Sequence, residues 1–216
     1  MIEYSINMVE DADDVSTEQA LLRATGQALR EHGIEGLTTE RVAEAWGKSQ
    51  SLVHYYYETK TELVTAYIEY VRSNCNAEYE ARASDPPTER IRWFLDFSAD
   101  PTETERAASR VQLELHATAA HNDAYRAELN RLEDDGRAFV RQAIEDGITA
   151  GEFRDVDVEA TTSLLLSAHD GGVLRATTLE RSEDADTLRR GLEEYLSSVL
   201  GVEEDHNPSN GGAEDS

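Results

Sequence analysis

The chain has 216 residues, 39% hydrophobic and 7% aromatic, enough apolar material to bury a core and to exclude wholesale disorder. Its 45 acids against 20 bases leave a formal charge of −25, which on net charge alone argues against a nucleic-acid partner. A single cysteine, Cys75, excludes an internal disulfide and a cysteine-rich zinc site, and no apolar run reaches the roughly 18 residues of a membrane span.

Met1 to Ser16 holds five acids and no base, the reverse of a signal or transit peptide, and reads as a loose acidic arm on a cytoplasmic protein. Nearly everything after it follows a helical period, with no convincing alternation of β-branched residues. An all-α fold of about nine helices is therefore expected. The first spans Thr17 to His32 with Gly33 as its stop; two short ones follow at Thr39–Trp46 and Gln50–Tyr56. A longer helix starts after Thr59, capped by its hydroxyl and by Glu62, and buries Leu63, Val64, Tyr67, Ile68, Val71 and Cys75. Asp85-Pro86-Pro87 marks a joint. Beyond it the pattern predicts helices near Thr88–Ser98, Glu103–Ala120, Asn122–Ala150, Asp157–Thr178 and Asp184–Leu200. The polar residues from 201 to 216 read as a disordered tail.

Two short helices joined by Gly47-Lys48-Ser49 form a helix-turn-helix. Ala43 is small where the helices cross, and Gly47 can adopt the left-handed conformation that ends the first. Ser49 can cap the second and leave backbone N–H groups free for a phosphate. Val42, Trp46, Val53 and Tyr56 should face inward, and Gln50, Ser51, His54 and Tyr55 outward. The charge pattern agrees with an anionic partner at this place. Ala45 to Tyr57 is the longest acid-free run of the chain, and residues 17–64 carry only −2 of the total charge. Moreover, 18 of the 20 bases are Arg, the two lysines being Lys48 and Lys60. Abundant acid with almost no Lys suits the molar-salt cytoplasm of a halophilic archaeon, where the Debye length falls to about 3 Å and net charge says little about partners.

With those residues in view, Thr17 to Val71 resembles the DNA-binding domain of the TetR family of transcription regulators. The resemblance lies in Thr38-Thr39, Val42-Ala43, Ala45-Trp46-Gly47-Lys48-Ser49, Val53-His54-Tyr55-Tyr56-Tyr57 and Lys60-Thr61-Glu62-Leu63. It implies that Thr38, Gln50, Ser51, Tyr55 and Lys60 contact double-stranded DNA, with Lys60 reaching a phosphate. Lys48 stands where the family usually places a small apolar residue, and His54 where it usually places Tyr. Thr39, Lys48, Ser49 and His54 complete the candidate interface. The implied organisation is an arm (1–16), a helix-turn-helix domain (17–63), a helical ligand-binding and dimerisation domain (64–200) and a tail (201–216).

A lone helix-turn-helix binds weakly, and a homodimer reading a palindrome is the usual remedy. Leu164, Leu165, Ala168, Gly171, Gly172 and Leu174 with Leu192, Tyr195, Leu196 and Val199 could form that interface, or could close the monomer core. Trp93, Phe97, Leu113, His116, Tyr125 and His169 are candidates to line an effector pocket, with ordinary core packing as the alternative for each. No metal site or cofactor is expected, because His116 and His121 diverge on a helix. Phosphate-loop, nucleophile-elbow, dinucleotide and zinc-protease motifs do not occur, so an enzyme is not expected. The remaining readings are a ligand-responsive repressor and a helix-turn-helix regulator acting through a protein partner.

Overall fold

The computed structural model describes residues 16–96, 102–179 and 182–201. Among them lie nine α-helices and no strand: α1 (Thr17–Gly36), α2 (Thr39–Trp46), α3 (Gln50–Tyr56), α4 (Lys60–Ala81), α5 (Pro87–Leu95), α6 (Glu103–Ala119), α7 (Asp123–Ala150), α8 (Val158–Leu179) and α9 (Ser182–Tyr195). A π-helical turn, Leu196–Leu200, extends α9. The all-helical expectation holds. The arm up to Val15, the tail beyond Gly201, and Phe97 and Ser98 lie outside the described residues. Among those described, no helix is long and apolar enough to cross a membrane.

Capping chemistry sets most boundaries. Ser16, Thr59 and Thr102 each form a capping box, with Gln19, Glu62 and Glu105 respectively, and so start α1, α4 and α6. Asn122 caps α7 by accepting from the Ala124 and Tyr125 N–H groups. Pro87 opens α5, where a missing N–H costs nothing, so the helix is shifted to the N-terminal side of the expected Thr88–Ser98. Gly33 (φ 67°) breaks α1 where a stop was expected, but the chain regains helical turns as far as Gly36. The reason is tertiary. Glu114 of α6 accepts a hydrogen bond from the Ile34 N–H at 2.6 Å, and a Cβ on residue 33 would stand 2.9 Å from that carboxylate.

The apolar side chains collect in two cores. The first joins α1–α4 to α6 and the N-terminal half of α7 through Leu21, Leu29, Val42, Val53, Ile68 and Leu129. The stripe expected on α4 is buried as a whole: Leu63, Val64, Tyr67, Ile68, Val71 and Cys75. The second joins α5, α7, α8 and α9 through Ile91, Phe139, Ile144, Leu165, Leu192 and Leu196. Tyr79 packs against both. Arg72 and Asn76 of α4 share Asp135 of α7 at 2.6 and 2.8 Å, and Arg90 of α5 meets Asp146 of α7 at 2.6 Å. These polar ties cross at α7, the central helix.

Candidate nucleic-acid interface

The helix-turn-helix is built by three local devices. The Thr38 hydroxyl caps α2 by accepting from the Arg41 N–H at 3.2 Å. Gly47, left-handed at φ 66°, ends α2 and gives its N–H to Ala43 and Glu44 carbonyls. Ser49 starts α3 by accepting from the Leu52 N–H at 3.3 Å. Val42 and Val53 are fully buried where the two helices cross, with Trp46 and Tyr56 half-buried beside them. Trp46 and Tyr56 meet edge to face at 6.2 Å, and Tyr55 stands edge-on to Tyr56 at 5.3 Å. The inward and outward sets are those the periodicity predicts.

The outer face carries Gln50, Ser51, His54 and Tyr55, all exposed, with Tyr55 at 80%. Its polar groups are tied together. The Gln50 side-chain amide donates to the Thr39 hydroxyl at 2.8 Å, and the same hydroxyl lies 3.3 Å from His54 Nε2. Thr39 thus holds two α3 side chains from its seat on α2, an arrangement invisible to spacing alone. Beyond that bond the exposed Gln50 carboxamide keeps its carbonyl and a second amide hydrogen, the pair needed for a bidentate contact to adenine. Lys48 is exposed and so does not pack inside the turn.

Lys60 is placed differently from the expectation. Its ammonium donates to the Ile34 carbonyl, and more weakly to that of Glu35 at 3.5 Å, rather than standing free for a phosphate. The cation serves the broken end of α1, whose carbonyls have no helical partner. Burial lowers its pKa, with Glu35 opposing. Arg41, which sequence reasoning passed over, donates to the Gly36 carbonyl at 2.5 Å and secures the same segment.

The pocket candidates divide. His169 is buried, 5.8 Å from the Phe94 ring, with Nδ1 3.3 Å from Asp170. It borders a narrow cavity of about 40 Å³ walled by Cys75, Tyr79, Gln112, Glu133 and Gly136. His116 approaches the same wall from α6: Nδ1 is 2.9 Å from the Gln112 carbonyl and Nε2 3.3 Å from Glu133. Trp93 sits behind it, in an aromatic cluster with Tyr79 and Phe139, and the Arg82 guanidinium lies 4.1 Å over its ring. Tyr125 is elsewhere: it is buried in the first core and hydrogen-bonds Thr61. Leu113 is half-buried and not among the cavity walls. Among the described residues no group of His, Cys, Asp or Glu is placed to hold a metal ion.

The pKa values of the two histidines shift in opposite directions. Glu133 raises the pKa of His116 above its ordinary 6.5, whereas burial lowers that of His169. Stability from the His116–Glu133 pair is complete below the unfolded value and is lost as pH rises through the raised folded value. His116→Gln should therefore flatten the fall in melting temperature above pH 6.5, as followed by circular dichroism.

The dimer candidates divide too. Leu165, Leu192 and Leu196 are in the second core and Gly172 is buried, because they lie on the α8 and α9 faces that pack together and against α7. Leu164 (50% exposed) and Leu174 (47%) face solvent, with Ala168 and Gly171 half-buried on the same side of α8. Tyr195 and Val199 are half-buried.

Known proteins resemble this chain along most of its length. Residues 21–67 match the sequence profile described as "Bacterial regulatory proteins, tetR family", and residues 87–201 match "BetI-type transcriptional repressor, C-terminal". The HTH-type transcriptional regulator BetI of Stenotrophomonas maltophilia is 31% identical over 132 residues, 59% of this chain; the match spans 65% of that protein. The HTH-type transcriptional repressor AcnR of Corynebacterium glutamicum is 26% identical over 188 residues, covering 87% of this chain and 92% of its own. The crystal structure of a TetR transcription regulator from Haloarcula marismortui superposes with a TM-score of 0.74 at 31% identity, covering 85% of this chain and 97% of that one. These relatives are transcription regulators, not enzymes.

Proposed function

Because the chain belongs to the TetR family of transcription regulators, we propose that it is a repressor that binds a palindromic operator as a homodimer and releases it on binding a small effector. The observation that carries the DNA reading is the exposed face of α3, free of acid from Ala45 to Tyr57 and prearranged by the Thr39–Gln50–His54 network. A negative duplex meets less repulsion here than elsewhere on the anionic surface. The exposed Leu164 and Leu174 with Ala168 and Gly171, joined by Tyr195 and Val199, supply an apolar patch for two-fold pairing. Pairing would set two α3 helices about 34–36 Å apart, one turn of duplex.

For the effector, the α4–α7 cavity supports a small cation. Its walls include the rings of Tyr79 and Phe94 with Glu133 and Asp170, and aromatic rings with carboxylates are the combination that attracts such a ligand. About 40 Å³ holds little more than a water, but Tyr79 also borders an open cleft of about 400 Å³ on its other side. Swinging that ring aside would join the two into a space of ligand size. The route to DNA is Glu114, which ties α6 to the Ile34 N–H where α1 ends. Glu114→Ala should leave effector binding near normal and cut the effector's influence on operator affinity by several-fold, as read by anisotropy with and without effector.

The acid excess, the scarcity of lysine and the Haloarcula relative support a high-salt working state. The decisive experiment is a footprint on the gene's own upstream region in concentrated KCl. A protected inverted repeat taking two chains per site is the expected result, and absence of any protected site refutes the reading. DNA affinity that answers to a protein partner but to no small cation would favour the partner-only regulator.

A further inference from the structure

A second cleft, with walls distinct from those of the α4–α7 cavity, lies between the helix-turn-helix and the rest of the molecule. Helix α1, the end of α2, the middle of α4 and the start of α6 enclose about 710 Å³. Its polar wall presents Arg23, Gln27 and Arg30 from α1 and Tyr67, Tyr70 and Asn74 from α4. The two arginines are notable in a chain with 45 acids, because among the described residues neither is paired with a carboxylate. Arg23 donates from Nε to the Tyr70 hydroxyl at 3.3 Å, and Arg30 has no ion-pair or side-chain hydrogen-bond partner there. Nearby carboxylates are engaged by other groups. Glu103 is held by Arg106 and Arg110 at 3.3 and 2.7 Å, and Glu31 accepts from Gln27 at 2.9 Å.

A second, independent observation concerns Tyr67. The residue is 3% exposed and lines the cleft, and its buried hydroxyl has no hydrogen-bond partner among the described residues. A buried donor left without an acceptor is costly. The ring is seated there by Gly26: a Cβ on residue 26 would stand 2.8 Å from it. Two guanidiniums and a phenol hydroxyl without a partner thus cluster at this cleft, and of these donors only Arg23 Nε has an acceptor, the Tyr70 hydroxyl.

We propose that this cleft binds a small multivalent oxyanion, a dicarboxylate or a phosphorylated metabolite, through the guanidiniums of Arg23 and Arg30 with the Tyr67 hydroxyl as a further donor. Guanidinium forks match carboxylate and phosphate oxygens bidentately, which lets such a ligand compete with chloride where a single ion pair is screened. Because the walls come from α1 and α2 on one side and α4 and α6 on the other, occupancy selects one arrangement of these helices.

The test uses the whole chain in KCl at constant ionic strength, titrated with malonate or with inorganic pyrophosphate while the melting temperature and heat of binding are followed. A saturable stabilisation by at least one probe is expected, weakened about ten-fold or more by Arg30→Gln or Arg23→Gln and several-fold by Tyr67→Phe. Melting of each variant without probe verifies that it is folded. Saturation by malonate alone assigns a carboxylate ligand, by pyrophosphate alone a phosphate ligand, and by both the shared oxyanion chemistry. No saturable response to either probe, or a response that survives both arginine substitutions, overturns the proposal.

Discussion

Gln50→Ala should weaken operator binding by about thirty-fold or more while leaving affinity for unrelated duplex nearly unchanged, the loss of one bidentate base contact in each of two half-sites. The expectation rests on the exposure of Gln50 and on the 2.8 Å bond by which Thr39 orients its amide. Thr39→Val, which removes the orienting oxygen but no base contact, should reproduce part of the same selective loss. Lys48→Ala is the contrast. Its exposed ammonium lies in the turn before α3, not on the outward face of that helix; as a phosphate contact its loss should lower affinity alike for every sequence and shrink the salt slope by about one. Anisotropy titrations against operator and scrambled duplex over a range of KCl distinguish these patterns. An equal loss on both duplexes for Gln50→Ala would remove that residue from base readout.

The largest effect on stability is expected at Gly147. The α7 helix ends at the left-handed Gly151, and the chain folds back so that the Phe153 ring lies against residue 147; both the Glu152 and Phe153 N–H groups bond to the Gly147 carbonyl. A Cβ at that position would stand 2.2 Å from the ring, far inside van der Waals contact, and Phe153 is only 5% exposed in the second core. Gly147→Ala must therefore expel or tilt the ring. The cost should be about 2–4 kcal/mol, between ordinary overpacking and loss of a buried Phe, less about 1 kcal/mol gained in helix propensity. Urea unfolding of Gly147→Ala, Phe153→Ala and the double variant measures it. The double variant should be far less destabilised than the sum, because once the ring is gone the Cβ meets nothing. Additive losses would mean that the two residues do not oppose each other.

The helices and their starts were legible because their causes are local. Thr59 with Glu62, Ser49, Asn122 and the left-handed Gly47 act within a turn of the residues they cap, and the apolar spacing of α4 names its buried side chains directly. The outward set Gln50, Ser51, His54 and Tyr55 follows from the same period. Where the period was ambiguous, partners decided. Leu164 and Leu165 are neighbours in sequence, yet one faces solvent and the other is fully buried, since only the packing of α8 against α7 and α9 selects the inner side.

The order of the amino acids alone therefore determined the helical architecture, the turn between α2 and α3, and the acid-free run proposed here as the DNA interface, all products of short-range geometry and of composition. Tertiary contacts decided what depends on groups distant along the chain. Lys60 was drawn to the carbonyls of Ile34 and Glu35, Glu114 to the Ile34 N–H, Tyr125 to the first core, and Arg23 and Arg30 to a shared cleft. Side chains of that kind settle wherever folding leaves an unmet donor, acceptor or void, and those vacancies exist only once the helices have packed.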